Sequence, residues 1–503
     1  MNTVFVSLCL ISAFSLDPVV LWSAVTSGGV YCSIEMGDLD GDSIADVVCG
    51  VNFWDDDPTL WAVSGADGST IWTSSSHNGI YSDNGLCWFP DMNGDGKREI
   101  LMATPGGYAP PGRSLYLISG ADGSTIWEWA ACEIMPSYTG WGYSCAVLPD
   151  MNGDDVPEAI GGFGTSGSSN TGLIACVDGA SGDSLWTVWL PDAAEDVEIF
   201  ADVNGDGVND VLLAIGGNSY ANETAVLADG ATGAFLWQEN PGGDCMAIAL
   251  AEQPDTWPLA LYSTFNGKVV CYDGGGSLQW VYSGSGMYLD VQGGPDVNGD
   301  GTGDIALAAD NGGVVCLSGS SGDVLWSYPS GSNTWSAVWV NPVILQGESV
   351  PCVAAGSVNG RSVCLVNALT GELVWEMAFT ERVYNVSAVM LNHDSPVVVA
   401  GLQDQEPLPD HAWALASSVE TGIAGQSLPS AMVRLVNPSV GSVSFQVLQD
   451  GVTVQCFDLC GRMLFHGIYT AGESVFRKIE IPGVYLLRIE TGSETAVLKA
   501  TIL

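Results

Sequence analysis

Five short acidic loops hold the residues of this chain whose types and spacing could do chemistry. They read GDLDGDSIADVV at 37–48, PDMNGDGKREIL at 90–101, PDMNGDDVPEAI at 149–160, ADVNGDGVNDVL at 201–212 and PDVNGDGTGDIA at 295–306. Each loop has Asp or Asn at positions 1, 3 and 5, Gly at position 4, and Asp or Glu at position 9, just before an apolar strand. Oxygen ligands at alternate positions of a tight turn suit Ca²⁺, which binds roughly six to eight of them.

The sequence therefore predicts about five Ca²⁺ sites with a structural role, because unshielded carboxylates in one loop repel one another. The predicted ligands are the side chains at positions 1, 3, 5 and 9 and the backbone carbonyl at position 7: Asp38, Asp40, Asp42, Ile44 and Asp46; Asp91, Asn93, Asp95, Lys97 and Glu99; Asp150, Asn152, Asp154, Val156 and Glu158; Asp202, Asn204, Asp206, Val208 and Asp210; Asp296, Asn298, Asp300, Thr302 and Asp304. The alternative is that Asp and Asn act only as turn formers, although five copies of one ligand pattern favour a cation.

The segments that carry these loops form a repeat marked by tryptophan. The Trp residues lie 43 to 59 positions apart, at Trp22, Trp72, Trp127, Trp186, Trp237, Trp280, Trp326 and Trp375. An apolar strand and an Asp/Ser/Gly turn precede most of them, as in GVVCLSGSSGDVLW, which predicts a β-hairpin that ends in Trp. A period of about 50 residues with several strands per unit predicts one four-stranded propeller blade per repeat.

The repeat count predicts an all-β fold with an eight-bladed β-propeller. The last unit, after Trp375, has no Trp strand of its own, whereas Val19–Trp22 (VVLW) has no unit in front of it. We therefore expect the N-terminal strand to complete the last blade and close the ring. Seven blades remain the alternative, if residues 376–424 pack outside the ring. The Trp residues are expected to pack between neighbouring blades.

These motifs carry a family resemblance over roughly residues 16–424. The Trp-ending units resemble the PQQ-like (quinoprotein-like) propeller repeat, and the Asp-rich loops resemble the FG-GAP, or VCBS, calcium repeats of integrin α-chain propellers. Quinone-dependent dehydrogenase activity is disfavoured, because the enzymes of that class use a vicinal Cys pair that this sequence lacks.

Residues 425–503 are predicted to form a small immunoglobulin-like β-sandwich. The succession of Asn437-Pro438, Asp458, Gly461-Arg462, Pro482 to Tyr485, Arg488 and Val497 to Lys499 resembles the type A sorting domain of the type IX secretion system. The resemblance implies that residues 429–503 engage that secretion machinery. The alternative is a generic accessory domain of the same architecture.

The chain begins with an apolar run, Val4–Phe14, followed by small residues in the pattern of a signal-peptidase site. We interpret residues 1–15 as a signal peptide, which predicts a secreted or outer-cell-surface protein, and residues 16–424 as the propeller. Nothing else in the sequence is apolar and long enough to span a membrane. Most of the 14 cysteines are expected to act as small apolar residues, because several share one inward slot of the repeat.

The charge balance limits the classes of partner. With 58 Asp and Glu against 12 Lys and Arg, the net charge is −46, which disfavours binding to nucleic acid or to anionic substrates. The few basic groups of the propeller are scattered along the chain. The sequence thus favours a non-catalytic binding or adhesion module for a glycan or an extracellular protein. A polysaccharide lyase, or another carbohydrate-active propeller enzyme, is the alternative.

Overall fold

The computed structural model describes residues 18–52, 58–75, 78–106, 113–135, 141–164, 171–216, 223–284, 286–311, 313–330, 333–345, 348–392, 395–403, 410–417, 433–436, 442–447, 452–458, 463–470, 474–478, 483–490 and 495–502. The chain divides into two compact units, Met1–Glu420 and Thr421–Leu503. The proposed signal peptide at 1–15 lies outside the described residues, as do Asn437-Pro438, Gly461-Arg462 and Pro482.

The first unit is a ring of eight four-stranded antiparallel sheets, which confirms the eight-bladed propeller. Blades I to IV consist of β2 (Val30–Gly37), β3 (Asp46–Val51), β4 (Leu60–Val63) and β5 (Thr70–Ser74); β6 (Leu86–Phe89), β7 (Glu99–Thr104), β8 (Ser114–Ile118) and β9 (Thr125–Trp129); β10 (Trp141–Leu148), β11 (Glu158–Gly164), β12 (Gly172–Val177) and β13 (Ser184–Leu190); β14 (Ala193–Ile199), β15 (Val211–Gly216), β16 (Thr224–Ala228) and β17 (Phe235–Glu239).

Blades V to VIII complete the ring in the same strand order. They consist of β18 (Cys245–Ala251), β19 (Leu259–Thr264), β20 (Lys268–Tyr272) and β21 (Leu278–Ser283); β22 (Tyr288–Gly293), β23 (Ile305–Ala309), β24 (Gly313–Leu317) and β25 (Val324–Tyr328); β26 (Thr334–Leu345), β27 (Glu348–Ser357), β28 (Ser362–Asn367) and β29 (Leu373–Ala378); β30 (Val383–Asn392), β31 (Ser395–Leu402), β32 (Asp410–Ser417) and β1 (Pro18–Val25). The described helices are a 3₁₀ turn at Asp83–Gly85 and α1 at Ala131–Ile134.

The N-terminal strand closes the ring, as the sequence predicts. β1 pairs antiparallel with β32, from Pro18 opposite Ser417 to Val25 opposite Asp410. Its Trp22 packs in a buried cluster that joins blade VIII to Val47 and Val63 of blade I. Because the first strands of neighbouring blades contact one another all the way round, they form the inner wall of the ring.

The repeated tryptophans join each blade to the next. Each indole Nε1 donates a hydrogen bond of 2.6–3.0 Å to the following blade. The acceptors, in order, are the carbonyls of the turn residues Gly65, Gly120, Gly179, Gly230, Gly274, Gly319 and Ala368, and the hydroxyl of Ser417 at the end of β32. A nearby turn glycine also packs on the ring: a Cβ on Gly182, whose φ is +77°, would lie 2.9 Å from Trp127. The repeated Trp is thus a fixed docking point between neighbouring blades.

The two ends of the ring differ in their loops. The acidic loops join the first and second strands of blades I, II, III, IV and VI, and they share one face with the turns between third and fourth strands. We call this the acidic-loop face. The other face carries the connections between second and third strands and those between blades. Among the described residues, no helix is long and apolar enough to cross a membrane.

The second unit consists of two antiparallel sheets. One contains β33 (Val433–Val436), β34 (Ser442–Val447) and β37 (Ser474–Lys478). The other has the order β36 (Met463–Tyr469), β35 (Val452–Asp458), β38 (Gly483–Glu490) and β39 (Thr495–Ile502). An all-β accessory unit is what the alternating pattern of the sequence predicts for this region.

Candidate metal centre

The first acidic loop shows how its own backbone shapes the site. Asp38 accepts hydrogen bonds from the amides of Gly41 (2.6 Å) and Ser43 (2.9 Å), one on each carboxylate oxygen. The Oδ1 atoms of Asp40 and Asp42 accept from the amides two residues further on, at 3.0 and 2.7 Å. These bonds curl the loop and hold three carboxylates together at its open side.

The same contacts recur in the other four loops. The residue at position 1 accepts amide hydrogen bonds of 2.6–2.9 Å from positions 4 and 6, in the loops that begin at Asp91, Asp150, Asp202 and Asp296. Positions 3 and 5 again accept from the amides two residues ahead. The shared local sequence therefore gives all five loops the same backbone conformation.

The donor set of the first loop fits a hard cation. Oxygens of Asp38, Asp40 and Asp42 lie within 4.8 Å of one another. In the described parts of the chain, no other three Asp, Glu, His or Cys side chains bring their ligand atoms this close together. In the other loops Asn stands at position 3, so those sets contain one carboxylate fewer. No described hydrogen bond reaches Oδ2 of Asp40 or Asp42, which leaves both atoms for a ligand.

Hydrogen bonding keeps the first position ionised in three loops. The amide of Gly41 above all, with that of Ser43, lowers the pKa of Asp38. Loop amides likewise lower the pKa of Asp91 and Asp150, although both side chains are exposed. An amide donor stabilises the charged form of a carboxyl group, so these residues keep the charge that a cation requires.

Position 9 has a different environment from the other predicted ligands. Asp46, Glu99, Glu158, Asp210 and Asp304 are all fully buried. Asp46 accepts hydrogen bonds from the amides of Leu39 (2.6 Å) and Asp40 (3.2 Å) on Oδ2, and from Gly65 (2.9 Å) on Oδ1. The other four make the equivalent bonds to position 2 of their loop and to a turn glycine.

The residue at position 9 therefore links two turns of its blade by hydrogen bonds, and we call this link the clamp. Burial raises the pKa of all five residues, and the amide hydrogen bonds oppose that shift. Any bond from position 9 to a cation would use the lone pairs that these amides leave. Its place among the ligands stays a prediction, as does that of the position-7 carbonyl.

The clamp also connects the acidic loop to the contact between blades. The glycine whose amide binds position 9 is the same residue whose carbonyl accepts the Trp indole of the preceding blade. In blade III, Gly179 donates to Glu158 (3.3 Å) and accepts from Trp127 (2.8 Å). The two hydrogen bonds thus link the acidic loop to the neighbouring blade through one glycine residue.

Replacing the clamp should destabilise the propeller even without metal. We expect Asp46→Ala to lower the free energy of unfolding by about 2–4 kcal/mol, because three amide donors lose their acceptor in a buried place. Denaturant unfolding in excess chelator measures this. The matched control is Asp42→Ala, since Asp42 is exposed and, among the described residues, accepts a hydrogen bond from the Ile44 amide alone. Equal losses for the two variants would contradict the clamp.

Two carboxylates next to the loops were missed by sequence reasoning. The Asn152 amide donates to Asp178 (3.0 Å), and that of Asn204 donates to Asp229 (3.1 Å). Both Asp residues belong to turns about 25 positions further along the chain, in the segments DGASG and DGATG. Their repeated place before the turn glycine is the signal that could have revealed them.

The inner wall borders two partly open cavities of mixed chemistry. One of ≈ 230 Å³ is bordered by the first strands of blades II to VI and includes Cys87, Cys145, Asp196, Glu198 and Asp290. A second, of ≈ 380 Å³, is bordered by blades IV to VI and shares Glu198. The described residues that line them include carboxyl, amide and thiol groups but no Lys, Arg or His.

Four of the scattered basic groups are bound within their own parts of the ring. Arg113 of blade II is buried and donates to the carbonyl of Met135 (2.7 Å). Arg361 donates to Thr380 O (2.7 Å), Arg382 contacts Gln403 (3.4 Å), and His411 shares a hydrogen bond with Thr26 (3.0 Å). These contacts pair each base with its local backbone or with a neutral side chain.

Three tryptophans outside the docking series are the exposed aromatics most suited to contact a ligand. They are Trp88, Trp189 and Trp257, each about half exposed. Trp88 lies beside the second acidic loop, with the Arg98 guanidinium 4.8 Å from its ring centre. Trp257 stands in the blade V loop of the acidic-loop face, whereas Trp189 lies near the end of β13 on the other face.

Comparison with known proteins agrees with this architecture. A family model described as outer membrane protein assembly factor BamB matches residues 170–406. The fold resembles the quinohemoprotein alcohol dehydrogenase ADHIIG from Pseudomonas putida HK5 (13% identity, TM-score 0.53, 84% of this chain and 78% of that chain). It also resembles the Dos1 propeller (13% identity, TM-score 0.53, 80% and 95%). The family match and these structures support a PQQ-like β-propeller; the structures, at this identity, show the fold alone.

Curated relatives match a smaller part of the chain. Protein FAM234B of Homo sapiens is 24% identical over 203 residues, which cover 38% of this chain and 30% of that protein. The Gallus gallus protein of the same name is 25% identical over 215 residues, or 40% and 31%. The chain therefore spans less than a third of the length of these relatives.

Proposed function

We propose that this protein is an exported, calcium-stabilised PQQ-like propeller that acts as a non-catalytic binding module. The observation that carries the proposal is the repetition of one preformed acidic loop on five blades of a single face. Each loop holds its position 1, 3 and 5 oxygens together by its own amide bonds. About five Ca²⁺ ions bound there would offset much of the negative charge of the loops and stiffen that face, in the manner of an FG-GAP or VCBS repeat.

Binding, rather than catalysis, agrees with the chemistry of the ring centre. The cavity walls offer Asp196, Glu198 and Asp290 but no cationic group in the described residues. Cleavage of an acidic polysaccharide needs a base and positive charge for the substrate carboxylate. A lyase or another carbohydrate-active enzyme is the alternative, and the binding test described below would detect its activity.

Export is the second part of the proposal. Residues 1–15 would direct secretion, and residues 429–503 would engage the type IX secretion machinery. The pattern of Asp458, Tyr485, Arg488 and Lys499 supports this. Replacing residues 429–503 by a plain tag should leave the propeller folded but abolish its appearance at the cell surface or in the medium of a type IX-competent bacterium. Unchanged export would refute the assignment.

The ligand is proposed to be a glycan or an extracellular protein that binds at the acidic-loop face. Trp88 and Trp257 offer exposed rings there, and a ring face packs well on a sugar. A glycan and matrix-protein array, probed with and without Ca²⁺, tests this. We expect calcium-dependent binding that Trp88→Ala or Trp257→Ala weakens about tenfold, which corresponds to about 1.4 kcal/mol.

Trp189→Ala is the matched control, because Trp189 is equally exposed on the other face. A loss of binding with Trp189→Ala alone would show that the ligand binds to that other face. Turnover of an arrayed polysaccharide would show that the protein is a lyase or another carbohydrate-active enzyme instead of a binding module. Binding that does not depend on calcium would show that the ligand site does not involve the acidic loops.

A further inference from the structure

Two thiols from neighbouring blades are in contact at the wall of the smaller cavity. Cys87 lies on β6 of blade II and Cys145 on β10 of blade III, and their Sγ atoms are 3.6 Å apart. Both residues border the ≈ 230 Å³ cavity. The Cys145 thiol also donates to the carbonyl of Leu101 at 3.5 Å, which holds it on the side of blade II.

We propose that Cys87 and Cys145 form a disulfide that joins blades II and III. Sulfurs in van der Waals contact need to approach by only about 1.5 Å to reach bonding distance. The two strands belong to different sheets and share no backbone ladder. A disulfide here would therefore add a covalent link between blades that are otherwise joined by side-chain packing and by hydrogen bonds such as that from Trp127 to Gly179.

The oxidation is a two-electron step that a small-molecule disulfide, such as oxidised glutathione, can complete. The Cys87 thiolate attacks one sulfur of that disulfide, forming a mixed disulfide and releasing one glutathione thiolate. The Cys145 thiol loses its proton to solvent and attacks the Cys87 sulfur, which releases the second thiolate. Two protein thiols are thereby oxidised, and one glutathione disulfide is reduced to two thiols.

Access explains why Cys87 reacts first. Cys87 is half-buried and faces the cavity, whereas Cys145 is buried. Burial raises the pKa of the Cys145 thiol well above its usual value, so it is a poor first nucleophile. As the resolving thiol it needs only to reach a sulfur already beside it.

The repeat-slot cysteines provide the contrast. Cys176 occupies the third strand of blade III, is fully buried, and packs among apolar residues such as Ile160 and Ile174. Its environment is that of a small core residue, and burial raises the pKa of its thiol too. Cys145 also belongs to a buried cluster, with Cys87 packed against it, so the pair is distinguished by the contact of its two sulfurs at the cavity wall. The proposal does not depend on the ligand of the propeller.

Peptide mapping tests the bond directly. The full chain, loaded with Ca²⁺, is incubated with excess oxidised glutathione, unfolded, alkylated and digested with chymotrypsin without reduction. Cleavage restricted to aromatic residues, after Tyr81 and Trp88 and after Tyr143 and Phe163, isolates each cysteine in its own peptide. We expect Ser82–Trp88 linked to Ser144–Phe163. Recovery of both peptides alkylated, or linked to other cysteines, would overturn the proposal.

Thermal unfolding of variants provides a second, independent readout. Because the bond would close a loop between cysteines 58 positions apart, reduction should lower the melting temperature of the oxidised protein by about 2–5 °C. Cys87→Ala should abolish this sensitivity to reductant, and Cys176→Ala should retain it. A shift that persists in Cys87→Ala would assign the effect to other thiols and refute the pairing.

Discussion

Removal of calcium is expected to lower the melting temperature of the propeller strongly. A loop stripped of its cation leaves neighbouring carboxylates such as Asp38, Asp40 and Asp42 to repel one another. At a free concentration one hundred times the dissociation constant, one bound ion stabilises the folded state by about 2.7 kcal/mol. If each of several loops binds an ion, together they would contribute an amount comparable to the whole stability of an ordinary domain, about 5–15 kcal/mol.

Calorimetry with and without chelator measures the effect, and added Mg²⁺ shows whether another divalent ion can substitute. Asp42→Asn should reduce the calcium-dependent part by about one loop's contribution. Asp323→Asn, an exposed carboxylate in a turn between strands, is the matched control and should leave it unchanged. An identical melting curve in calcium and in chelator would show that the loops are turn formers only.

Glu198→Gln is expected to stabilise the protein at alkaline pH. Glu198 lies on β14 at the wall of both cavities, and burial raises its pKa from 4.5 to about 7. The folded state therefore binds this proton more tightly than the unfolded chain does. The resulting stabilisation is complete below about pH 4.5 and is lost as the pH rises through 7.

At pH 8 the wild-type carboxylate is charged in a poorly solvated place, whereas glutamine of the same shape is neutral. We expect the variant to be more stable by about 2–3 kcal/mol at pH 8 and nearly equal to wild type at pH 4.5. Urea unfolding at both pH values, with calcium saturating, checks this. Glu376→Gln, exposed on an outer strand, is the control. No gain at pH 8 would mean that Glu198 is well solvated or paired.

The blade architecture could be predicted because its signal is local and repeated. One Trp-ending hairpin occurs eight times, and the unpaired VVLW segment before Trp22 has the sequence of the strand that the last unit lacks. Repetition turns a weak local pattern into a strong one, since each unit must bury its faces against the next. The structure confirms both the eight blades and their closure by β1.

The acidic loops are visible in the sequence as a repeated local motif, but their detailed contacts depend on the rest of the blade. The amide of Gly65 that binds Asp46 comes from a turn 19 residues away, and Asp178 approaches Asn152 from a distance of 26 residues. Spacing within a loop contains no information about such partners. For the same reason the contact between Cys87 and Cys145 emerges only when two blades are placed side by side.

Closure by β1 has a consequence for the order in which the ring can assemble. Pro18 pairs with Ser417, so the earliest strand to be synthesised waits for a partner made about 400 residues later. Until then the backbone hydrogen-bonding groups of β1 and of β32 in the last blade are unpaired, and they lie at the two ends of an incomplete ring of blades. A variant in which β1 is moved from its place before β2 to a place directly after β32 would make every blade contiguous, and it should fold faster without a change in the final structure.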